Sequence, residues 1–252
     1  MTTVAVLGGG GGGRSAVVEL LIAGHRVHLW NRRAQTISSI LDTRTFGHRG
    51  VMGEGTARPQ LVTTELAEAL DGAECVVVCL PSLAHDRLFH ELALLRRGLP
   101  IVLNPGHTGG ALHARAVWQR LQIPLPPIVE FSTLTYVARV DDSGTVDTTG
   151  RAGTVRAAPL PGGGEALACA LELFPGTTPV DNVLASSLAN VNLVLHAPGA
   201  VLALAWSEAT HGDFRFYVDA MTPGVGQVLR ALDEERLAVG QAFGLRLLPL
   251  HD

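Results

Sequence analysis

Through its first half the chain alternates short apolar runs with amphipathic stretches. VAVLG at 4–8 is an apolar run ending in glycine, and 13–23 has helical composition closed by Gly24, which suits a position just past a helix end. RVHLW at 26–30 reads as a second strand, 33–42 as a helix, and 51–62 as weakly extended. Thr64 is expected to cap a short helix over 65–70, and ECVVVCL at 74–80 has the unbroken apolar character of a strand buried on both faces. A helix over 84–95, the strand IVLN at 101–104 and a helix over 110–121 extend the series. This βαβα order argues for a parallel sheet wound with helices on both faces.

The pattern then changes. IVEFSTLTYVARV (128–140) and TVDTTGRAGTVRAAPL (145–160) are β-rich and joined by DDSG, which reads as hairpin-like strands appended to the parallel sheet. A helix over 164–174 closes with Pro-Gly, and no strand pattern follows Asp181. Residues 183–210 and 220–243 read as two long helices separated by HGDFRFYVD. The expected fold class is α/β, with a doubly wound parallel sheet over 1–182 and a small all-helical domain over 183–252.

Composition narrows the function. The 252 residues are 47% hydrophobic and 17% charged, which suits a large core with a smaller helical companion and excludes a disordered chain or a disulfide scaffold. A net charge of −4 gives nucleic acid or an anionic membrane no basic surface. All 19 basic residues are Arg, which excludes a Schiff-base lysine, a lysine general base and a P-loop lysine. Cys75 and Cys79 would stand roughly 13 Å apart along a strand, too far for a disulfide or a shared metal. With Cys169 they read as small buried residues of a reducing, cytoplasmic compartment, and no metal site is expected. MTTVAVLGGG lacks the charged start and cleavage site of a signal peptide. The apolar run 191–206 is interrupted by Asn192, His196 and Pro198, as a buried helix rather than a membrane span would be.

Gly8, Gly10 and Gly13 fit G-x-G-x-x-G between an expected strand and an expected helix, with Gly11 and Gly12 completing the loop. Gly8 allows the tight turn, Gly10 lets backbone approach a diphosphate, and Gly13 lets helix and strand pack closely. The helix start then offers free N–H groups and partial positive charge, so this loop is expected to bind a dinucleotide. At the end of the second strand, where an NAD enzyme usually places Asp or Glu, the chain has Asn31, Arg32 and Arg33. Two guanidinium groups can bind a 2′-phosphate, so the expected coenzyme is NADPH; if they are merely solvated, NADH serves. The fold is therefore expected to be of Rossmann type. Two later strand-end loops place Leu80, Pro81, Ser82, Asn104 and Gly106 beside the cofactor, and His107 as a donor or a solvated residue.

Asn192 and His196 are four residues apart and share one helix face. Pro198 is expected to bend or break that helix near His196, aiming the imidazole into a cleft. The pair reads either as a general acid–base with its amide or as a core histidine with satisfied hydrogen bonds.

VLGGGGGG, NPGHTGG, EFSTLTYVAR, SSLANVNLVLHAPG and FRFYVDAMTPGVGQVLRALDEERLAVGQAFG resemble the octopine/nopaline (opine) dehydrogenase family over nearly all of residues 1–244. The resemblance implies reduction, with NADH or NADPH, of an imine formed between an α-keto acid and an amino acid. His196 is similar to the family's catalytic acid–base and Asn192 to its active-site asparagine. The family pairs its histidine with an aspartate far downstream. Here the sequence ends 56 residues after His196, as a C-terminally shortened member would, and Asp252 does not match that motif. A partner subunit's Asp213, Asp219 or Glu208 is the imagined substitute, and uncovered helix faces predict a homodimer through the helical domain. The expected substrate is a small imine or carbonyl compound. The alternatives are a dehydrogenase of a hydroxy or keto compound, or a non-catalytic cofactor-binding protein.

Overall fold

The structure is a computed structural model and describes residues 1–250. Strand β1 (Thr3–Leu7) leads into helix α1 (Gly11–Ile22), β2 (Arg26–Trp30), the short α2 (Ala34–Ile37), β3 (Phe46–Gly50), β4 (Gly55–Ala57) and β5 (Leu61–Thr63). Next come α3 (Leu66–Leu70), β6 (Cys75–Val78), α4 (His85–Leu95), β7 (Ile101–Leu103) and α5 (Gly110–Leu121). The chain continues through β8 (Ile128–Phe131), β9 (Tyr136–Val140), β10 (Val146–Arg151), β11 (Val155–Pro159), α6 (Gly164–Leu173) and β12 (Thr177–Pro179). Helices α7 (Val183–Leu188), α8 (Asn192–Leu202), α9 (Leu204–Ala209) and α10 (Pro223–Ala242) follow, with a π-helical turn at Phe216–Ala220.

Two compact units result, one ending at Ser187 and the other beginning at Leu188. The sequence reading placed its boundary at 182/183. Most of α7 belongs to the first unit because the Ser186 and Ser187 hydroxyls both donate to Glu130 of β8.

In the first unit β5, β2, β1, β6, β7 and β8 lie parallel in that order. Leu7 pairs in register with Trp30 and Val78, Val78 with Leu103, and Leu103 with Glu130. The loops that follow these strands therefore open along one edge of the sheet, where doubly wound folds bind ligands. Alternation along β1 sends Val4 and Val6 into one core with Val17 and Leu20, and Ala5 and Leu7 into another with Phe89 and Trp118.

The expectation of one appended hairpin is corrected. β8 and β11 extend the main sheet, antiparallel to each other, and β12 pairs with β11. β9 and β10, the hairpin turned by DDSG, instead join β3 and β4 in a separate four-stranded sheet. The sequence reading missed β3, because FGHRG has neither alternation nor an apolar run. This second sheet covers the outer side of α1. Ser15 and Thr148 hydroxyls meet at 2.8 Å, and the Tyr136 hydroxyl donates to Glu19 at 2.8 Å. Covered on both sides, α1 buries Gly13 through Val18 and has little amphipathic character.

Three helix expectations also change. The cap of α3 is not Thr64: the Thr63 hydroxyl accepts from Glu65 N at 3.0 Å and donates to Glu68 at 2.8 Å. The helix expected over 33–42 shrinks to α2 and a 3-10 turn at Ser38–Ile40. The helix expected over 183–210 is three helices, yet Pro198 lies inside α8 and does not end it at His196. The interruption before α8 forms where Asn190 Oδ1 accepts from Asn192 N at 3.1 Å, and the second falls at Ala203. Past Pro198 the backbone is held by close packing, since a Cβ on Gly199 would lie 2.6 Å from Met221 and 3.1 Å from Phe216.

In the second unit α10 starts with Pro223 behind a Thr222 cap, a favoured arrangement. Arg236 and Asp233, 4% and 3% exposed, form an ion pair at 2.7 Å on this helix. Arg236 also donates to the carbonyls of Leu188 and Leu248, while Asp233 accepts from Leu250 N. The pair thus ties the unit's first residue and its closing segment to one helix. Among the described residues no helix is long and apolar enough to cross a membrane.

Candidate functional site

The β1–α1 turn separates the roles of its glycines. Gly8 has φ +128°, and a Cβ there would lie 2.4 Å from the Cys79 carbonyl oxygen. A Cβ on Gly13 would lie 1.7 Å from the Gly8 carbonyl oxygen, whereas Gly10 has nothing within 4 Å. The first and third glycines therefore seal the turn and the second leaves it open to a ligand, as a diphosphate site requires. Gly11 and Gly12 serve a contact the motif does not show: their Cβ atoms would meet Ala138 O at 2.7 Å and Leu134 at 3.0 Å. The opening N–H groups of α1 lack partners within the helix, and Arg14 N, bonding back to Gly10 O at 2.9 Å, closes the first turn. These residues fit a bound dinucleotide.

Beside the turn lies a cleft of about 430 Å³. Gly10, Asn31, Arg32, Arg33, Leu80 and Pro81 line it, together with Trp30, Thr36, Leu83 and Arg87. Asn31 spends its amide on the backbone. Its Oδ1 accepts from Gly9 N at 3.0 Å and its Nδ2 donates to Arg33 O at 2.9 Å, so it braces the glycine turn against the β2–α2 turn. Arg32 and Arg33 are exposed at the cleft. Arg87, missed in the sequence, reaches the cleft from α4 and pairs with Glu91 at 2.7 Å. Its signal was the H-D-R start of a helix following a strand-end loop.

Ser82 is exposed in the turn before α4 and does not line the cleft. Asn104 and Gly106 also lie outside its lining, and shape the β7–α5 loop. Asn104 is fully buried, and its Oδ1 accepts from Thr135 N and Oγ1 at 3.1 and 3.0 Å. Its Nδ2 has no partner among the described residues. Gly106 donates to Phe131 O, and a Cβ there would lie 2.5 Å from Glu130 Cβ. Glu130 is fully buried and accepts from Ser186 (2.7 Å), Ser187 (2.6 Å) and Ala111 N (2.8 Å). Burial raises its pKa, opposed by these hydrogen bonds. The sequence did carry a signal for it, an acidic residue inside the apolar run IVEF. His85 and His107 both direct Nε2 at the Leu80 carbonyl, at 3.1 and 3.3 Å. Burial, with a smaller contribution from His107, holds the His85 pKa down to about 4.

In the helical unit Asn192 opens α8 and the half-buried His196 follows one turn later. His196 Nε2 is hydrogen-bonded to the Tyr217 hydroxyl, and Phe216 stacks on the imidazole at 6.5 Å and 21°. Both aromatics come from the π-helical turn Phe216–Ala220, a stretch that carries part of the family resemblance but whose aromatics the sequence did not single out. Asp219 of that turn is taken up by Arg215, accepting from its backbone N at 2.8 Å and its guanidinium at 3.1 Å. Those bonds hold its carboxyl below the usual range. Asp252 lies outside the described residues.

A glycine-turn parallel sheet continued by a helical unit with an Asn–His face defines an NAD(P)-dependent dehydrogenase class. Residues 179–252 match the family described as NAD/NADP octopine/nopaline dehydrogenase, alpha-helical domain, and residues 3–104 match the NAD-dependent glycerol-3-phosphate dehydrogenase N-terminus. An opine dehydrogenase of Arthrobacter sp. (strain 1C) is 34% identical over 248 residues, covering 97% of this chain and 69% of that protein. The chain belongs to the opine dehydrogenase family. Among solved structures, apo yersinopine dehydrogenase superposes with a TM-score of 0.80 at 16% identity, over 98% of this chain and 65% of the other. Octopine dehydrogenase with NADH and L-arginine gives 0.73 at 19% identity, over 96% of this chain and 64% of the other. These two share the fold, and the chain spans about two thirds of their length.

His85 yields a prediction about stability. Its folded pKa lies below the ordinary 6.5, so the unfolded chain takes up the proton first as pH falls. The contribution is complete above about pH 6.5 and lost progressively down to about pH 4, amounting to about 3 kcal/mol. His85→Gln, which retains a donor for the Leu80 carbonyl, should remove this dependence. Urea unfolding of both proteins from pH 4 to 7 checks it, and parallel curves would refute it.

Proposed function

We propose that the protein is an NADPH-dependent opine-type dehydrogenase that reduces the imine formed between an amino group and an α-keto acid. The observation that carries this reading is the polar face of α8, where Asn192 and His196 stand one turn apart in a helical unit of this family. Octopine dehydrogenase structures hold NADH with L-arginine, agmatine or pyruvate, which supports an amine and a keto acid as substrate classes. The open Gly10 and the start of α1 bind the diphosphate, while Arg32 and Arg33 take the 2′-phosphate in a cleft whose β2 end bears no carboxylate. The coenzyme, when bound, supplies hydride. His196 holds or delivers the proton at the substrate nitrogen, Asn192 orients the substrate, and the Tyr217 hydroxyl fixes the imidazole through Nε2. A second reading, oxidation of a hydroxy compound, draws on the glycerol-3-phosphate dehydrogenase match over residues 3–104. Comparing amine-linked with alcohol-linked oxidation by the same preparation separates the two.

The reading includes a cytoplasmic setting, supported by three free cysteines, and a homodimer through the helical unit. Leu202, Leu204, Trp206, Val218 and Phe243 of that unit are 48–61% exposed, a cost that association removes.

Three outcomes follow from these assignments. His196→Ala should lower kcat about 10²- to 10⁴-fold while leaving the NADPH Kd unchanged; full turnover would defeat the acid–base role. Arg32→Ala combined with Arg33→Ala should raise the NADPH Kd about tenfold or more and the NADH Kd less than about twofold, and equal effects on both would point to NADH. Sedimentation equilibrium should give twice the 26.5 kDa chain mass, reduced to that of one chain by Leu204→Glu with Trp206→Glu; a monomeric parent would refute the dimer.

A further inference from the structure

Arg14 sits in α1 immediately after the glycine turn and is 1% exposed. Its guanidinium donates to three carbonyls on three segments: Nε to Gly9 at 3.0 Å, one terminal nitrogen to Gly144 at 2.5 Å, and the other to Thr36 at 2.9 Å. It also lies over the Phe46 ring, 5.3 Å from the centroid. A buried arginine is ordinarily matched by a carboxylate, and none of these hydrogen bonds goes to one. Burial lowers its pKa, yet a guanidinium keeps its charge throughout the physiological range. An apolar side chain of similar length would fill the same space without desolvating a charge. What an apolar residue cannot do is hold three backbone segments in one rigid fork.

Two of those segments border the coenzyme cleft. Gly9 belongs to the glycine turn, and Thr36, in α2, lines the cleft just after Arg32 and Arg33. The third, Gly144, is in the turn of the β9–β10 hairpin, so the clamp is anchored on the second sheet.

We propose that Arg14 is a positioning residue for coenzyme choice: its fork fixes the glycine turn and the Arg32–Arg33 turn at one spacing, so that the diphosphate and the 2′-phosphate of a single NADPH engage both together. Its uncompensated charge, close to the start of α1, adds attraction for the diphosphate that NADPH and NADH share. The inference rests on the reading of Arg32 and Arg33 as 2′-phosphate contacts.

The test titrates purified Arg14→Met and Arg14→Lys with NADPH and with NADH, alongside thermal unfolding. Arg14→Met should weaken NADPH about tenfold more than it weakens NADH. Arg14→Lys keeps the charge without the fork, so it should restore NADH binding while the preference for NADPH stays lost. Placed in the Arg32→Ala, Arg33→Ala background, Arg14→Met should no longer alter the preference. If both Arg14 variants lower the Tm but keep the parent's NADPH-to-NADH ratio, Arg14 is structural only and the inference is overturned. If instead the Arg32→Ala, Arg33→Ala protein keeps the parent's ratio, it is the coenzyme reading that fails. Should Arg14→Met not fold, the ratio measured for Arg14→Lys decides alone.

Discussion

Helix α1 touches backbone on two sides, and the nucleotide turn depends on that. Gly13 lies against the Gly8 carbonyl on the β1 side, and Gly11 against the Ala138 carbonyl of the second sheet. No side chain larger than hydrogen fits either contact without shifting a main-chain atom. The run of glycines is therefore two structures superimposed. One is a phosphate-binding turn, and the other is a seat for a helix squeezed between two sheets. Only Gly10 is left open, and its freedom to approach a ligand exists because its neighbours are fixed.

Buried charge does the remaining fastening. Glu130 gathers α5 and α7 around the end of β8, with Ala111 N, Ser186 and Ser187 all donating to it. The Asp233–Arg236 pair does the same for the helical unit, reaching Leu188, Leu248 and Leu250. Arg14 is the third case and differs in that its hydrogen bonds go only to carbonyls. Desolvation makes each of these groups costly, so their bonded geometry is closely specified.

Periodicity alone located much of the parallel sheet. RVHLW coincides with β2, residues 110–121 with α5, and the βα order with the parallel core. Such segments are legible because one face or both faces are apolar, and that shows locally. What was not legible depends on distant partners. FGHRG becomes β3 only through β10 and β4, and IVEFSTLTYVARV divides between two sheets although nothing in its composition marks the division. The long helix over 183–210 was expected to bend or break at Pro198, but α8 runs through that residue and the breaks fall at Asn190 and Ala203 instead. The glycine turn, Asn31 and the two arginines stood out by spacing and chemistry, whereas Arg87 and Glu130 left only faint local marks and Tyr217 none. They reach their places through α4, through a buried strand and through a π-helical turn whose partners are set by packing.

The second sheet is assembled from pieces far apart in the chain. β3 and β4 come from the crossover between β2 and β5, and β9 and β10 arrive only after β8. The Ser15–Thr148 contact spans 133 positions. Once the chain through β7 has left the ribosome, β1, α1, β3 and β4 are present, but β9 and β10, whose Tyr136 and Thr148 meet Glu19 and Ser15 of that helix, are still to come. Loop closure over such distances is slow, so the nucleotide turn should rigidify late in synthesis, well after its own residues have emerged.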